Sequence, residues 1–477
     1  MRIRLLIAMA FVLSWCAASS NTFVTAQAAK GAKAKPVPVE LPLPPALPGG
    51  VSIVTEKSPD FLKAPDNIAA DVKIAKEVPT VDFGYFPGQT YQAEIWSNWG
   101  DSTCAGGKFY ASYGDHMHPD GKYPKPNPDH KIPGAAYIVE YDPATKNFRP
   151  LLDTNKLLNM PEGNYIPGKI HTRLEMGSDG WLYAATHRGS GSVTNDSYNF
   201  KGDWILRTHP ATGKSEVVVQ GPVPKHCIPN GTLDPKSMIF YGGTAIGNGN
   251  PNTEEGVKFF AYDVKNKKLL YSGDKGPGRG MIVASSTGKV YYTPQLQLSP
   301  LMCYDPASGQ PPKQIDGEIG NRCATRETAD GMVYSVSQGD KKTTKSILYS
   351  FNTKTEKAQA LGPVAITKDG QLDYVAALTA DPRGRFVYYT LGAHGGSEAA
   401  GSALVQYDAK LNQKKVIAFL FPYFQEKYGV TPRGSFGLAA DEKGEIVYVT
   451  WNLKRDGARL TWDTVGMSAI HIPASER

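Results

Sequence analysis

The sequence predicts an all-β protein, a seven-bladed β-propeller whose blades are four-stranded antiparallel sheets. The chain of 477 residues contains 49 glycines, 36 prolines and 25 tyrosines, with no long helical pattern. This composition favours many short strands joined by turns. One strand signature, a turn followed by aliphatic and tyrosine residues, also occurs seven times, and such self-similarity indicates a repeat fold.

Each copy of the signature combines a turn, usually with glycine, and a short apolar strand. The seven copies lie at 107–110, 180–183, 237–240, 288–291, 331–334, 384–388 and 444–448. Units of this length suit propeller blades, because one twisted four-stranded sheet cannot bury both of its faces alone. A pair of β-sandwiches is the competing arrangement, but it does not account for seven copies of one signature.

The ends of the chain suggest how the ring closes. The last unit ends at its third strand, 468–472, so we expect an early segment, 78–86, to supply its fourth strand and remove the exposed edge. The propeller is assigned to residues 61–477, after a Pro/Lys/Ala-rich linker at 29–60.

The first 28 residues are predicted to be a secretory signal peptide. Arg2 and Arg4 precede an apolar run at 5–18, and Ala26-Gln27-Ala28 forms a small-residue cleavage pattern. A membrane anchor is the alternative, but the run is shorter than the roughly 20 residues of a spanning helix. We therefore expect a periplasmic or extracellular monomer, with no membrane insertion after signal removal.

The charge of the chain argues against two classes of partner. The formal net charge is +7, but residues 1–40 hold five basic side chains and one acidic one, so the remainder is almost neutral. Binding to nucleic acid or to an anionic membrane surface is associated with a basic excess. Neither partner is expected.

Polar residues are predicted to gather at one mouth of the central channel. In each blade the start of the innermost strand and the end of the next, antiparallel strand meet at the same mouth. Long insertions follow the second strands, and function often lies on such loops. Counting back from each signature locates the start of the innermost strand, and counting forward locates the end of the second strand. The residues placed at the mouth in this way are Asn98, His171, His187, His226, Arg279, Arg322, Gln338, Tyr374, His394 and Arg433.

His171 and His187 are the sharpest signal, because they open and close neighbouring strands of one blade and should lie close together. Two such imidazoles either share a divalent metal or tune each other's pKa. A metal would take His226, or a carboxamide such as Gln338, as a further ligand. Both possibilities stay open.

Arg279 and Arg322 add positive charge to the mouth. A guanidinium group suits a carboxylate or a sulfate, although each arginine could instead hold neighbouring blades together through Glu327 or Asp274. Histidines and arginines at one rim predict an anionic ligand.

The chemistry that fits best is elimination. The mouth lacks the pair of carboxylates that glycoside hydrolysis normally needs. Elimination beside a uronate carboxylate requires a group that neutralises the carboxylate, a base and a proton donor. Histidine, arginine and a nearby tyrosine, Tyr241, can fill these roles.

This combination resembles the propeller polysaccharide lyases, namely the ulvan lyases and oligogalacturonate lyases, over residues 90–472. The resemblance implies that His171 and His187 are base and acid or metal ligands, that Arg279 neutralises the carboxylate and that Tyr241 assists. From their position at the mouth, Asn98, His226, Arg322, Gln338, His394 and Arg433 are expected to bind an anionic polysaccharide or oligosaccharide. The oligogalacturonate type uses a richer His/Gln metal cluster than these residues form. Because propellers serve many functions, the alternative is a non-catalytic propeller that binds an anionic glycan or a protein partner.

Overall fold

The computed structural model describes residues 41–123, 127–247, 256–295, 297–338, 345–370 and 374–477. The predicted signal peptide and the first part of the predicted linker lie outside the described residues. Seven sheets of four or more strands surround a central channel, so the predicted seven-bladed propeller is confirmed.

In blades 1 to 3 the strands follow one another from the channel outward. Blade 1 consists of Thr103–Ala105, Lys108–Gly114, Ala136–Asp142 and Asn147–Asp153. Blade 2 has an innermost strand in two pieces, Pro167–Ile170 and Glu175–Met176, followed by Leu182–Arg188, Trp204–Thr208 and Ser215–Gln220. Blade 3 consists of His226–Asp234, Ile239–Ile246, Lys258–Asp263 and Lys268–Asp274.

Blades 4 to 6 follow the same order. Blade 4 consists of Ile282–Ala284, Lys289–Tyr292, Leu301–Tyr304 and Lys313–Ile315. Blade 5 consists of Cys323–Ala324, Met332–Val336, Ile347–Asn352 and Lys357–Pro363. Blade 6 consists of Leu378–Ala380, Phe386–Tyr389, Ala403–Asp408 and Gln413–Phe419, with Lys73–Ile74 added in parallel at its outer edge.

Blade 7 contains strands from both ends of the chain. Its inner strands are Val430–Gly434 with Leu438–Ala440, Ile446–Arg455 and Thr464–His471. Thr80–Tyr85 pairs antiparallel with Thr464–His471, as expected for the segment 78–86, and Val54–Glu56 adds one more strand outside it. The packed part of the chain therefore begins before residue 61, the boundary predicted from the linker composition, because Val54–Glu56 is paired into this sheet.

Helices within the described part of the chain are few and short. The α-helices are Thr154–Leu158 and Tyr423–Tyr428, and the 3₁₀ turns are Pro48–Gly50, Pro59–Leu62, Asp196–Tyr198, Pro306–Ser308, Ser397–Ala400 and Ala474–Glu476. None of the helices in the described ranges is long and apolar enough to cross a membrane.

The repeated signature places aromatic rings between blades. Phe109 of blade 1 stacks on Tyr448 of blade 7 with ring centres 4.7 Å apart, and Tyr291 of blade 4 lies 4.7 Å from Phe351 of blade 5. Large buried rings contribute much of the apolar area that stabilises a core. The signature thus records packing between neighbouring blades.

Two arginines cross the channel and close it. Arg173 of blade 2 forms an ion pair of 2.9 Å with Asp101 and donates a hydrogen bond to the carbonyl of Ala324 on blade 5. Arg326 of blade 5 donates back to the carboxylate of Glu175 on blade 2 at 2.8 Å. Because blades 2 and 5 face each other across the ring, we call these contacts the channel floor.

Candidate functional site

A cavity of about 70 Å³ lies at the channel mouth, bounded below by the channel floor. Its walls include Trp99, His171, Arg279, Arg322 and Phe436, contributed by five different blades. A volume of this size holds a few waters or one small anionic group. The cavity is therefore suited to a charged substituent, and a polymer chain cannot thread through it.

His171 and His187 lie together, as their spacing predicts. Their ring centres are 5.4 Å apart with an interplanar angle of 77°, because the strands that carry them pair His187 with Lys169. Burial holds the pKa of both imidazoles well below the usual range, aided by Arg279 for His171 and by Lys169 for His187. Both rings are neutral at pH 7, and a neutral imidazole can accept a proton.

Arg279 and Arg322 face the cavity without a carboxylate partner among the residues that the structure describes. Arg279 donates a hydrogen bond of 2.8 Å to the carbonyl of Gly278. Burial and the nearby Arg322 lower its pKa to about 10, so it still carries its charge at pH 7.

Arg322 is held by aromatic groups. Its Nε donates to the hydroxyl of Tyr374 at 2.6 Å, and its guanidinium lies 5.3 Å and 5.6 Å from the ring centres of Tyr374 and Phe436. The carboxylates named as alternative partners are occupied elsewhere. Glu327 accepts hydrogen bonds from Ser286 and Thr353, and Asp274 pairs with Lys258.

Lys169 is a cation that counting along the sequence missed. Its Nζ lies 4.8 Å from the centre of the Trp99 ring, and burial, followed by the charges of Arg188 and Arg279, lowers its pKa to about 7. The signal was available, because residues two apart on a strand point to the same face, and Lys169 precedes His171 by two positions.

Trp99, which was also not predicted from the sequence, contacts several side chains at the mouth. Its ring lies 5.6 Å from that of His171 and 4.5 Å from that of Phe436. Its indole N–H donates to the Ser97 hydroxyl at 2.7 Å, and that hydroxyl lies 2.7 Å from Nε2 of His116. These contacts fix the orientation of the indole beside His171.

Three predicted site residues do not reach the cavity. Asn98 is buried, and its amide bonds the carbonyls of Gly100 and Ser112 and accepts from Thr450. Arg433 forms an ion pair of 2.6 Å with Glu398. Tyr241 is fully buried and stacks on Phe259 in the cluster between blades 3 and 4.

His187, His226, Gln338 and His394 are also absent from the cavity lining. His394 stacks on Tyr374 at 4.4 Å, next to the cavity wall. His226 lies 2.9 Å from the Thr244 hydroxyl, and burial lowers its pKa to about 4. The main-chain N–H of Gln338 donates to the side chain of Asn321. The binding and metal roles assigned to these residues stay predictions.

One group of side chains in the described ranges has the composition of a metal site. Ligand-type atoms of His187, Asp203 and Cys227 all lie within 4.8 Å of one another, and all three residues are buried. His171 and His226, the other two predicted metal ligands, are not part of this group. The four described cysteines are free thiols.

Comparisons with known proteins give only distant structural likenesses. No protein-family model matches the chain, and no curated protein sequence matches it either. Among solved structures, an oligogalacturonate lyase in complex with manganese is 10% identical with a TM-score of 0.49, covering 89% of this chain and 98% of that one. The β-propeller domain of the trilobed protease from Pyrococcus furiosus is 14% identical with a TM-score of 0.44, covering 79% and 94%. Hydrazine synthase from Kuenenia stuttgartiensis is 11% identical with a TM-score of 0.45, covering 77% and 96%. At these identities and TM-scores the likeness carries no argument about activity.

Proposed function

We propose that the chain is an exported lyase that cleaves a uronate-containing polysaccharide by β-elimination. One observation carries the proposal. Arg279 and Arg322, which have no carboxylate partner in the described part of the chain, face a cavity wall that also holds the neutral imidazole of His171. A cationic pocket beside a base is the arrangement that elimination next to a carboxylate requires.

The reaction places the uronate carboxylate between the two guanidinium groups. Charge-assisted hydrogen bonds from Arg279 and Arg322 stabilise the negative charge that develops on the carboxylate when the neighbouring carbon loses its proton. The cavity is large enough for this group alone, so the sugar ring itself lies outside, toward the mouth.

His171 is assigned as the base. It takes the proton from C5, the C5–H electrons form the C4=C5 double bond, and the C4–O bond breaks with its electron pair going to the departing oxygen. Lys169, which lies over the Trp99 ring on the same strand face as His171 and has a pKa of about 7, is assigned as the donor that protonates this oxygen. The products are an unsaturated uronate and a new chain end.

Hydrolysis is less well supported by the same residues. Asp101 is the carboxylate that lines the cavity, and it is engaged by Arg173 at 2.9 Å. A glycoside hydrolase of the usual kind needs two available carboxyl groups on either side of the bond. The lining residues do not provide such a pair.

The test is an ultraviolet assay for unsaturated uronate products on a panel of acidic polysaccharides, including polygalacturonate, ulvan, alginate and chondroitin. The wild-type protein is expected to generate product on at least one of them. His171→Ala is expected to abolish turnover, while circular dichroism shows a folded protein. As a matched control, His471→Ala alters a partly exposed histidine on blade 7 and is expected to retain turnover.

Failure of this assay has a defined meaning. If no polysaccharide yields product but one of them still binds, the lyase assignment is wrong and the chain is a glycan-binding propeller. If turnover occurs in His171→Ala at the wild-type rate, His171 is not the base.

A further inference from the structure

We propose that His187, Asp203 and Cys227 form a zinc site at the seam between blades 2 and 3. This inference does not depend on the proposed function, because metal binding can be measured without any substrate. It also differs from the metal set predicted from the sequence, which grouped His187 with His171 and His226.

The distances suit shared coordination. Nδ1 of His187 lies 3.7 Å from a carboxylate oxygen of Asp203, which is too long for a hydrogen bond. Two ligands at 2.0–2.2 Å from one tetrahedral ion stand roughly 3.3–3.6 Å apart. The separation is therefore close to that of two atoms bound to the same ion, and Sγ of Cys227 lies within 4.8 Å of a ring nitrogen of His187 and a carboxylate oxygen of Asp203.

His187 provides the second observation. Its Nδ1 is buried and has no hydrogen-bond partner among the described residues, and the whole side chain is 8% exposed. A buried polar atom without a partner is costly. An ion between His187 and Asp203 would satisfy it.

Hydrogen bonds orient the carboxylate of Asp203 for binding a metal ion. One of its oxygens accepts hydrogen bonds from the Tyr165 hydroxyl at 2.6 Å and the Thr186 hydroxyl at 3.1 Å, and the other accepts from the main-chain N–H of Ile228 at 3.1 Å. Outer partners of this kind orient the ligands of metal sites.

The charges at the site also balance. One divalent ion, one carboxylate and one thiolate sum to zero, so the neighbouring Arg188 meets a neutral centre. Nη1 of Arg188 lies 3.6 Å from Sγ of Cys227, where it can donate to a bound thiolate. Thiolate with imidazole favours zinc over magnesium, calcium or manganese.

Three protein ligands leave a fourth position for water or another ligand, as in many zinc centres with an open site. An ion on Nδ1 also fixes the tautomer of His187, because Nε2 must then carry the proton of the neutral ring. The site would thereby set which proton His187 offers to His171, its neighbour at 5.4 Å.

The experiment titrates metal-free full-length protein with Zn²⁺ by calorimetry and with Co²⁺ by absorption spectroscopy. We expect one ion per chain and a thiolate-to-cobalt charge-transfer band. Cys227→Ser should remove the band, and Cys227→Ser, Asp203→Asn and His187→Ala should each weaken binding at least 100-fold. Tyr165→Phe, which keeps all three ligands, should weaken it about 10-fold.

His171→Ala and His226→Ala are the matched controls and should bind as the wild type does. Zinc should also raise the thermal unfolding midpoint of the wild type, since a ligand that binds the folded state stabilises it. The proposal is overturned if the wild type binds no ion, if the cobalt complex lacks the thiolate band, or if His226→Ala loses as much affinity as Cys227→Ser. Wild-type protein that binds one zinc ion but yields no product on any polysaccharide would instead count against the proposed function alone.

Discussion

Arg326 on blade 5 donates a hydrogen bond of 2.8 Å to the carboxylate of Glu175 on blade 2, directly across the channel. Arg326 also donates to the carbonyl of Leu174 at 3.1 Å. Together with the contact from Arg173 to Ala324, this bond ties opposite sides of the ring together. The channel floor lies below the mouth cavity, and the contribution of its contacts to stability can be measured.

The floor is expected to contribute to stability. Glu175→Gln should lower the free energy of unfolding by about 1–2 kcal/mol, because it removes a charge-assisted hydrogen bond that is only partly screened. Chemical denaturation measures this change. Arg326→Met should have a similar effect, and the double variant should lose less than the sum of the two, since both remove the same contact. Additive losses would show that the two groups do not interact.

Arg279 is expected to increase activity without stabilising the fold. Arg279→Met should lower kcat/KM on the polysaccharide substrate by roughly 10- to 100-fold, in line with the loss of one or two charge-assisted hydrogen bonds. The thermal midpoint should stay the same or rise, because a buried charge beside Arg322 disappears. Arg385→Met, which breaks an outer ion pair with Asp408 on blade 6, is the control and should leave kcat/KM unchanged. A large drop in stability for Arg279→Met would indicate a structural role.

In the proposed elimination, the rate should be sensitive to pH. His171 must be neutral, and its pKa lies well below the usual range, so activity should persist under mildly acidic conditions. Lys169 must be protonated, and its pKa is lowered to about 7, so kcat/KM should fall as the pH rises above about 7. Binding of an anionic substrate favours the ammonium form, so the alkaline limb of kcat should lie higher than that of kcat/KM.

Replacement of Lys169 tests this assignment. Lys169→Arg should move the alkaline limb out of the neutral range, because a guanidinium group keeps its proton. Lys169→Met should remove the limb and reduce the rate at every pH. An unchanged pH profile in both variants would exclude Lys169 as the donor.

The indole of Trp99 is expected to act through His171. Ser97→Ala removes the acceptor of its N–H without touching the cavity lining, and should lower kcat several-fold with little change in KM. Trp99→Phe should lower kcat further, because the ring that packs on His171 becomes smaller. Steady-state kinetics separates the two constants. A change confined to KM would mean that Trp99 binds substrate directly.

The closure of blade 7 should be sensitive to acid. Asp82 lies on the strand Thr80–Tyr85 with its side chain buried, 3.0 Å from His471 and 2.8 Å from Lys146. Hydrogen bonds from these groups lower its pKa to about 2 despite burial. Its stabilisation is therefore complete above the unfolded-state pKa and is lost as the pH falls towards 2.

Asp82→Asn tests this linkage. At neutral pH it should lower the free energy of unfolding by about 1.5–3 kcal/mol, the range for hydrogen bonds to a charged group. Between pH 4 and about 2 the stability of the variant should change less than that of the wild type. Parallel curves for the two proteins over this range would contradict the linkage.

The fold could be predicted from the sequence because the repeated signature consists of residues that pack between neighbouring blades. Each signature places an aromatic ring at a seam between blades, so the number of signatures equals the number of blades. The early segment that closes the ring was predictable for a related reason, since the last unit lacked a strand.

The site was predicted only in part, because counting positions assumes regular strands. His171, Arg279 and Arg322 line the cavity as expected. In blade 3 a β-bulge between Cys227 and Asn230 shifts the register, so Asn230 rather than His226 reaches the cavity. An irregularity at Pro432 and Gly434 similarly places Phe436 at the wall in place of Arg433. Such bulges leave no mark in the spacing of the signatures.

The pairing of Thr80–Tyr85 with Thr464–His471 has a consequence for synthesis. A nascent chain emerges from its amino end, so the closing strand is made early but has nothing to pair with until almost the entire polypeptide is available. Contacts between such distant segments form slowly. Blade 7 should therefore stay open throughout translation and close only when the last strands have been made.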